Sequence, residues 1–252
     1  MTILCIETST SVCSAAVCKD GALIKQCISY EGSNHARLLP SYIEELLSFT
    51  REQHLSLDAV ALSEGPGSYT GLRIGTSTAK GLCYGLSVPL IAVPTLEVLC
   101  EAARQHSAFS NQHSDILIPM IDARRKEVYT AIFDSESKVE SPKSKEERAR
   151  AVVVESEESL IKGLRDKVQS TKETEYYYFG DGAAKCQAVL TSPRWHYIPD
   201  IVPQAQYVGV LAERRESEED SPKMISGAEL AYYEPFYLKE FVAAKSHVKG
   251  LN

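Results

Sequence analysis

The segment SEGPGSYTGLRIGTSTAKG, Ser63 to Gly81, constrains the fold most, because it puts five glycines between an apolar run and what reads as a helix. Ala59 to Leu62 is a short buried strand. Gly65-Pro66-Gly67 makes a tight turn, and Ser68 is placed to cap a helix running to about Tyr84. A strand, a glycine turn and a helix in succession belong to an α/β protein. Within the helix, Gly71, Gly75, Ala79 and Cys83 recur every four residues as a stripe of small side chains. Glycine costs a helix interior about 0.8–1 kcal/mol relative to alanine, so something must approach that backbone closely. It is either the chain's own sheet or a second helix. The sharper expectation is a partner helix, under which Ala79→Arg leaves the monomer folded and abolishes the contact.

Catalytic motifs built on the same glycines fail on spacing. A Walker A loop needs G-x-x-x-x-G-K-[ST], but Lys80 precedes Gly81 and lies inside the helix. Gly65, Gly67 and Gly71 give G-x-G-x-x-x-G, one residue too long for a dinucleotide fingerprint. Ser77-Thr78-Ala79-Lys80 fits S-x-x-K but has no S-D-N or K-T-G downstream, and Ser77 falls mid-helix instead of on a sharp turn. Backbone N–H groups of the Gly65–Gly67 turn remain free to meet an anion.

The flanking sequence gives the lobe. Ile3–Ile6, Ser14–Cys18 and Leu23–Tyr30 read as strands, with Asp20-Gly21 as a hairpin turn. A helix over about Ala36–Phe49 places Leu39, Ile43, Leu46, Leu47 and Thr50 on one face, with Pro40 near its start. Leu86–Val93 reads as a strand and Leu96–Gln105 as a helix. A second set follows: strands Ile116–Met120, Glu127–Phe133 and Ala151–Val154, then a helix Glu157–Val168. Next come strand Tyr176–Phe179, a helix through Leu190, strand Trp195–Ile198, and a helix near Ala205–Arg214 that completes the second lobe. Ser135–Arg150 and Glu216–Lys223 are polar loops, and Asn111–Ser114 is a connection. The domains expected are residues 1–110, carrying the partner-binding helices, and 111–252, with the last helix crossing back to the first lobe.

Composition removes several classes of function. The 252 residues are 44% hydrophobic, enough for a core, and no apolar run approaches the ~20 residues of a membrane span. The opening MTILCIETST has no basic region before its apolar run and breaks at Glu7, so no secretory signal is expected. Seven cysteines without a C-x-x-C pair argue for reduced thiols in the cytoplasm. A net charge of −7 opposes unaided binding to nucleic acid. Arg124-Arg125-Lys126 is the best basic cluster. His35 has Leu39, which has no ligand atom, at the position four residues on where a helical metal pair would need a second ligand.

Four segments, ILCIETSTSVCSAAV, NHARLLPSYIEELL, GPGSYTGLRIGTSTAKGL and IDARRKEVYTAIF, together resemble in order the signature segments of the TsaB family, once grouped with glycoproteases. The match is clear over Ile3–Phe133. Beyond it stand weaker marks: GDG at Gly180–Gly182, Pro203 and YLK at Tyr237–Lys239. The resemblance implies an α/β ASKHA fold, actin- and hexokinase-like, with two βββαβα lobes on mixed sheets. It implies a non-catalytic paralogue of TsaD that supports N6-threonylcarbamoyladenosine formation in tRNAs reading ANN codons. Its partners would be TsaD, as a heterodimer, and TsaE, with tRNA met only through the complex and a homodimer formed when alone. ATP and metal would sit on the partner subunits. The catalytic relative carries H-x-x-x-H, of which only His35 remains here.

Partner contacts are then expected at Leu39, Ile43, Leu46, Leu47, Gly71, Leu72, Gly75, Thr78, Ala79 and Leu82. Glu7, Thr8, Ser9, Gly65, Gly67 and Ser68 would form a vestigial nucleotide or anion site. Glu7 stands where phosphate-binding relatives carry aspartate. Arg124, Arg125 and Lys126 would lie nearest tRNA. The alternatives are an ASKHA-type nucleotide-binding kinase or ATPase, and a peptidase, for which no nucleophile–base pair is found.

Overall fold

Strand β1 (Thr2–Glu7) is buried at every position, which requires cover on both faces and places it inside a sheet. The computed structural model describes residues 1–32, 34–106, 115–134, 149–164, 174–217 and 224–239. In it β1 pairs antiparallel with β2 (Cys13–Lys19) and parallel with β4 (Ala59–Gly65). β3 (Ala22–Ser29) and β5 (Leu90–Pro94) flank these in the order β3-β2-β1-β4-β5. The β2–β3 hairpin turns on Asp20 and Gly21, whose φ values of 50° and 74° give the two left-handed positions that a two-residue turn needs.

The second sheet repeats this plan. β6 (Asp115–Asp122) is central, and β7 (Glu127–Thr130) and β9 (Arg150–Val153) follow on its antiparallel side. β10 (Glu175–Phe179) and β11 (Trp195–Ile198) extend its parallel side. The order β11-β10-β6-β7-β9 is again third, second, first, fourth and fifth strand, read from the antiparallel edge; the two-residue β8 (Phe133–Asp134) pairs with β6 off this path. Two lobes on mixed sheets make this the α/β ASKHA architecture. The repeat is in topology, and no short-period repeat marks it in sequence.

Helices α1 (His35–Glu52) and α2 (Tyr69–Leu86) cover one face of the first sheet. Leu39, Ile43 and Leu46 of α1, with Ala79 and Cys83 of α2, pack on Leu4, Ile6 and Leu62. The Ser68 hydroxyl accepts from Gly71 N–H at 3.3 Å, capping α2 as expected. Its other end differs. The helix runs through Gly85 to Leu86 and stops at Ser87 in the left-handed region, so the strand expected from Leu86 begins only at Leu90.

Helix α3 (Thr95–Arg104) is buried over Thr95–Ala103 and lies between the lobes, as a helix covered on all sides must. Val98 packs on the first sheet's core, and Leu96, Leu99 and Cys100 pack on Leu117, Ile121 and Phe179 of the second. Helix α4 (Glu157–Leu164) covers the far face of the second sheet through Leu160 and Leu164. Val168, Ser135–Arg148 of the charged excursion and Asn111–Ser114 lie outside the described residues, as do 218–223 of the polar loop. The helix expected through Leu190 is reduced to a 3-10 turn over Ala184–Cys186.

Helix α5 (Ala205–Ser217) corrects the sequence reading, which assigned it to the second lobe. Ala205, Val208, Leu211 and Ala212 lie on Ile3, Cys5, Ala16 and Cys18 of the first sheet. Gly209 sits where the sulfurs of Cys18 and Cys5 crowd the helix, leaving no room for a Cβ. Ile225 is again on the first lobe, where it exchanges backbone hydrogen bonds with Leu90 at 2.9 Å. Helix α6 (Gly227–Tyr232) then buries Leu230 in the α1–α2 core.

Candidate functional site

A cleft of about 900 Å³ opens between the lobes, the size of a small-molecule site. Ser9 and Thr10 after β1, His35, and Gly67–Tyr69 at the start of α2 form its first-lobe wall. Asp122, Arg124 and Tyr129 of the β6–β7 hairpin, with Asp181, face them. Phe236–Lys239 closes one side.

The six residues expected at an anion site are brought together, but their donors serve the chain itself. Ser9 N–H donates to Glu7 Oε1 at 2.6 Å, and Ser68 N–H donates to the Ser9 carbonyl at 2.6 Å. The Thr8 hydroxyl donates to the Gly71 carbonyl at 2.8 Å. Glu7 is fully buried, and among the described residues its Oε2 has no hydrogen-bond partner. Burial pushes its pKa up, against the hydrogen bond from Ser9 N–H. The Ser9 hydroxyl is also buried and has no partner among the described residues. A nucleotide phosphate needs several convergent N–H donors, and those of Ser9, Ser68 and Gly71 are spent.

The glycine stripe explains itself here. A Cβ at Gly71 would overlap the Thr8 carbonyl oxygen, one at Gly75 the Thr8 hydroxyl, and one at Gly67 the Ser9 carbonyl. The close neighbour is therefore the chain's own β1–β2 loop. This overturns the expectation that the stripe faces a partner. Gly71, Leu72, Gly75 and Ala79 are buried in this chain, and so are Leu39, Ile43 and Leu46, because a sheet face needs full cover. Of the expected contact residues only Leu47, Thr78 and Leu82 stay half-buried. Ala79 is 0% exposed, so Ala79→Arg cannot leave a folded monomer untouched.

His35 is buried, and its Nε2–H donates to the Val12 carbonyl at 3.2 Å, tying α1 to the end of the β1–β2 loop. Leu39, one turn on, is in the core. Among the described residues no group of three or more His, Cys, Asp or Glu side chains is placed to hold a metal ion.

The second-lobe wall is an ion-paired frame. Asp122 Oδ1 accepts from Arg124 N–H at 2.6 Å and from Lys185 Nζ at 2.7 Å, and Lys185 also donates to the Glu127 carbonyl at 2.6 Å. Partial burial opposes ionisation of Asp122, but the Lys185 ammonium and Arg124, through its N–H and its charge, together outweigh it and hold the pKa below its usual value. Asp181 accepts from Asp122 N–H at 3.0 Å. The cleft walls crowding Asp181 push its pKa up, although its side chain still reaches solvent. Arg124, Arg125 and Lys126 stand exposed at the tip of this hairpin. The third wall is a strap. Phe236 N–H donates to the Glu64 carbonyl at 2.8 Å, Tyr237 packs on Tyr69 at 4.9 Å, and Lys239 pairs with Glu127 beneath the Tyr129 ring. Asp122, Asp181, Lys185 and Lys239 were missed as site residues; the GDG and YLK marks were the signal for two of them.

A solved Pseudomonas aeruginosa structure described as similar to peptidase YeaZ aligns with a TM-score of 0.71 at 23% identity, covering 94% of this chain and 99% of that one. YeaZ from the same organism aligns with a TM-score of 0.69 and the same coverage. These likenesses show the fold. The tRNA threonylcarbamoyladenosine biosynthesis protein TsaB of Bacillus subtilis (strain 168) is 38% identical over 135 residues, 53% of this chain and 55% of that protein. TsaB of Escherichia coli (strain K12) is 33% identical over 133 residues, with the same coverage. The chain thus spans about half the length of the curated relatives it matches. The family model described as TsaD, tRNA N6-adenosine threonylcarbamoyltransferase, matches residues 29–243. The chain belongs to the TsaD family, and the curated relatives it matches over half their length are TsaB proteins.

Proposed function

We propose that this chain is a non-catalytic subunit that supports TsaD in forming N6-threonylcarbamoyladenosine in tRNAs reading ANN codons. It joins TsaD as a heterodimer, and TsaE is recruited to that pair. ATP and metal act on the partner subunits, tRNA is met through the complex, and the setting is the cytoplasm. Among the described residues no helix is long and apolar enough to cross a membrane.

The observation that carries this reading is the pair His35 and Leu39. The histidine is spent on the Val12 carbonyl, and the residue that would complete a helical metal pair is a core leucine. The loop from Glu7 to Ser9 supports it further, since the N–H groups of Ser9 and Ser68 and the Thr8 hydroxyl are used internally.

The contact surface shifts to the outer ridge of the same helices. Leu38, Tyr42 and Leu47 on α1, with Ile74, Thr78 and Leu82 on α2, are half-buried at the edge of the first core. An apolar ridge of this kind suits a partner's helices, and in their absence a second copy. The experiment is co-expression with TsaD, gel filtration, and tRNA modification assayed with and without this chain. A 1:1 complex whose activity needs the chain is expected. Modification by this chain alone, or by TsaD equally well without it, would overturn the reading.

A further inference from the structure

The tip of the β6–β7 hairpin displays charge beside the cleft that pairing does not consume. Arg124 and Arg125 have φ values of 65° and 51°, a left-handed backbone that arginine adopts only when its surroundings impose it. The surroundings are visible. Asp122 holds Arg124 N–H, while Lys185 gathers the carbonyls of Arg125 and Glu127 from the inner side at 3.5 and 2.6 Å. Lys126 spends its ammonium on Glu155 at 3.4 Å. Among the described residues neither Arg124 nor Arg125 has a side-chain hydrogen bond or ion pair, and both are exposed. The result is a fixed turn that presents two free guanidiniums, with Arg124 at the cleft mouth.

Guanidiniums held this way match the paired oxygens of a phosphate. We infer that Arg124 and Arg125 contact backbone phosphates of the RNA handled by the assembly. This rests on the reading that the chain works within a tRNA-modifying complex. The phosphate chemistry is shared with free nucleotides, but Arg125 does not line the cleft, so a molecule seated there would not engage both arginines. Two contacts on a chain of net charge −7 add to binding held mainly elsewhere.

The test uses the Arg124→Asn/Arg125→Asn double variant, because asparagine tolerates the left-handed backbone, with Arg124→Lys/Arg125→Lys as the charge-preserving control. Each is assembled with TsaD and TsaE, and unmodified tRNA affinity is measured across a salt series. Each lost phosphate contact lowers the slope of log affinity against log salt by about 0.7–0.9, so the double Asn variant should lower it by about 1.5 and the Lys control hardly at all. Assembly should be unchanged. An unchanged slope and affinity would overturn the inference. Loss of assembly instead would mark the hairpin as a contact to an acidic protein surface. Loss of ATP binding, read by calorimetry, with tRNA binding intact would mark a free-nucleotide contact; both refute the RNA assignment. If the wild-type chain does not join TsaD, the proposed function fails. The inference is then decided on the lone chain at low salt, where equal tRNA binding by wild type and the Asn variant sinks it.

Discussion

Thr8 closes on Gly71 twice: its hydroxyl donates to the Gly71 carbonyl at 2.8 Å, and its own carbonyl oxygen fills the space a Cβ on Gly71 would need. The β1–β2 loop is thereby pressed onto the first turns of α2. This contact fixes one wall of the cleft and consumes the Thr8 hydroxyl as a donor.

Gly71→Ala should therefore destabilise the fold. The clash is with backbone, which cannot swing aside, so a loss of about 1–3 kcal/mol or more is expected. Gly81 sits in the same helix with nothing within 4 Å of a Cβ, so Gly81→Ala should stabilise by about 0.8–1 kcal/mol. Urea melts of the two variants check both signs. Equal behaviour would mean that α2 does not pack on Thr8.

Glu7 sets a pH dependence. Its folded pKa is raised from an ordinary 4.5, chiefly by burial. Between the unfolded and folded values the native state holds the proton more tightly, so stability falls as pH rises through that window and stays lowered above it. Glu7→Gln keeps an oxygen to accept from Ser9 N–H and has no charge to bury. It should be more stable than wild type at pH 7 and lose the acid-side slope. Urea midpoints at several pH values decide, and a variant less stable than wild type at pH 7 would show Glu7 to be a favourable ion.

Much of the first lobe was legible because its signals are local. Asp20-Gly21 fixes a turn by backbone preference alone, and Ser68 caps the helix that follows it. Leu86 misled because an exposed leucine at a helix end looks like the first residue of a strand. The stripe Gly71, Gly75 and Ala79 announced a close approach but not the neighbour. Small side chains report a distance, and the atoms filling it came from Thr8, more than sixty positions away. Asp122, Asp181 and Lys185 escaped for the same reason, since their pairing exists only once β6 and β10 are side by side. The pattern of α5 puts a helix in the right place along the chain and on the wrong lobe. An amphipathic pattern says that a face is buried, not against which sheet.

Arg214 and Glu101 tie α5 to α3. The guanidinium reaches both carboxylate oxygens, at 2.7 and 3.1 Å, and Glu101 is 3% exposed. Gln105 adds a donor at 2.9 Å. Arg214→Ala would strand a buried carboxylate with weaker partners. Arg214 itself is partly in solvent, which lowers the expected loss to about 1–3 kcal/mol. Denaturant midpoints test this, and no shift would show that Gln105 and Arg104 suffice.

The proposed contact with TsaD would separate two neighbouring residues on α2. Ala79 points into the core formed by Leu4, Ile6, Leu39 and Leu62. Ala79→Arg should unfold or strongly destabilise the isolated chain, because a buried unpaired charge costs several kcal/mol. Thr78 is one residue earlier, about 100° around the helix, and half-buried at the outer ridge. Thr78→Arg should leave the melting temperature within a few degrees of wild type, since surface changes usually stay within about 0.5 kcal/mol. If the ridge of Ile74, Thr78 and Leu82 meets a partner's helices, the same arginine would be trapped without a counter-charge when the two chains join. TsaD should then be lost from a pull-down by a folded Thr78→Arg protein. The pairing of the two variants keeps folding and binding apart. A folded Ala79→Arg chain would mean that α2 is turned differently on its sheet. A Thr78→Arg chain that still captures TsaD at wild-type strength would place the partner elsewhere on the first lobe.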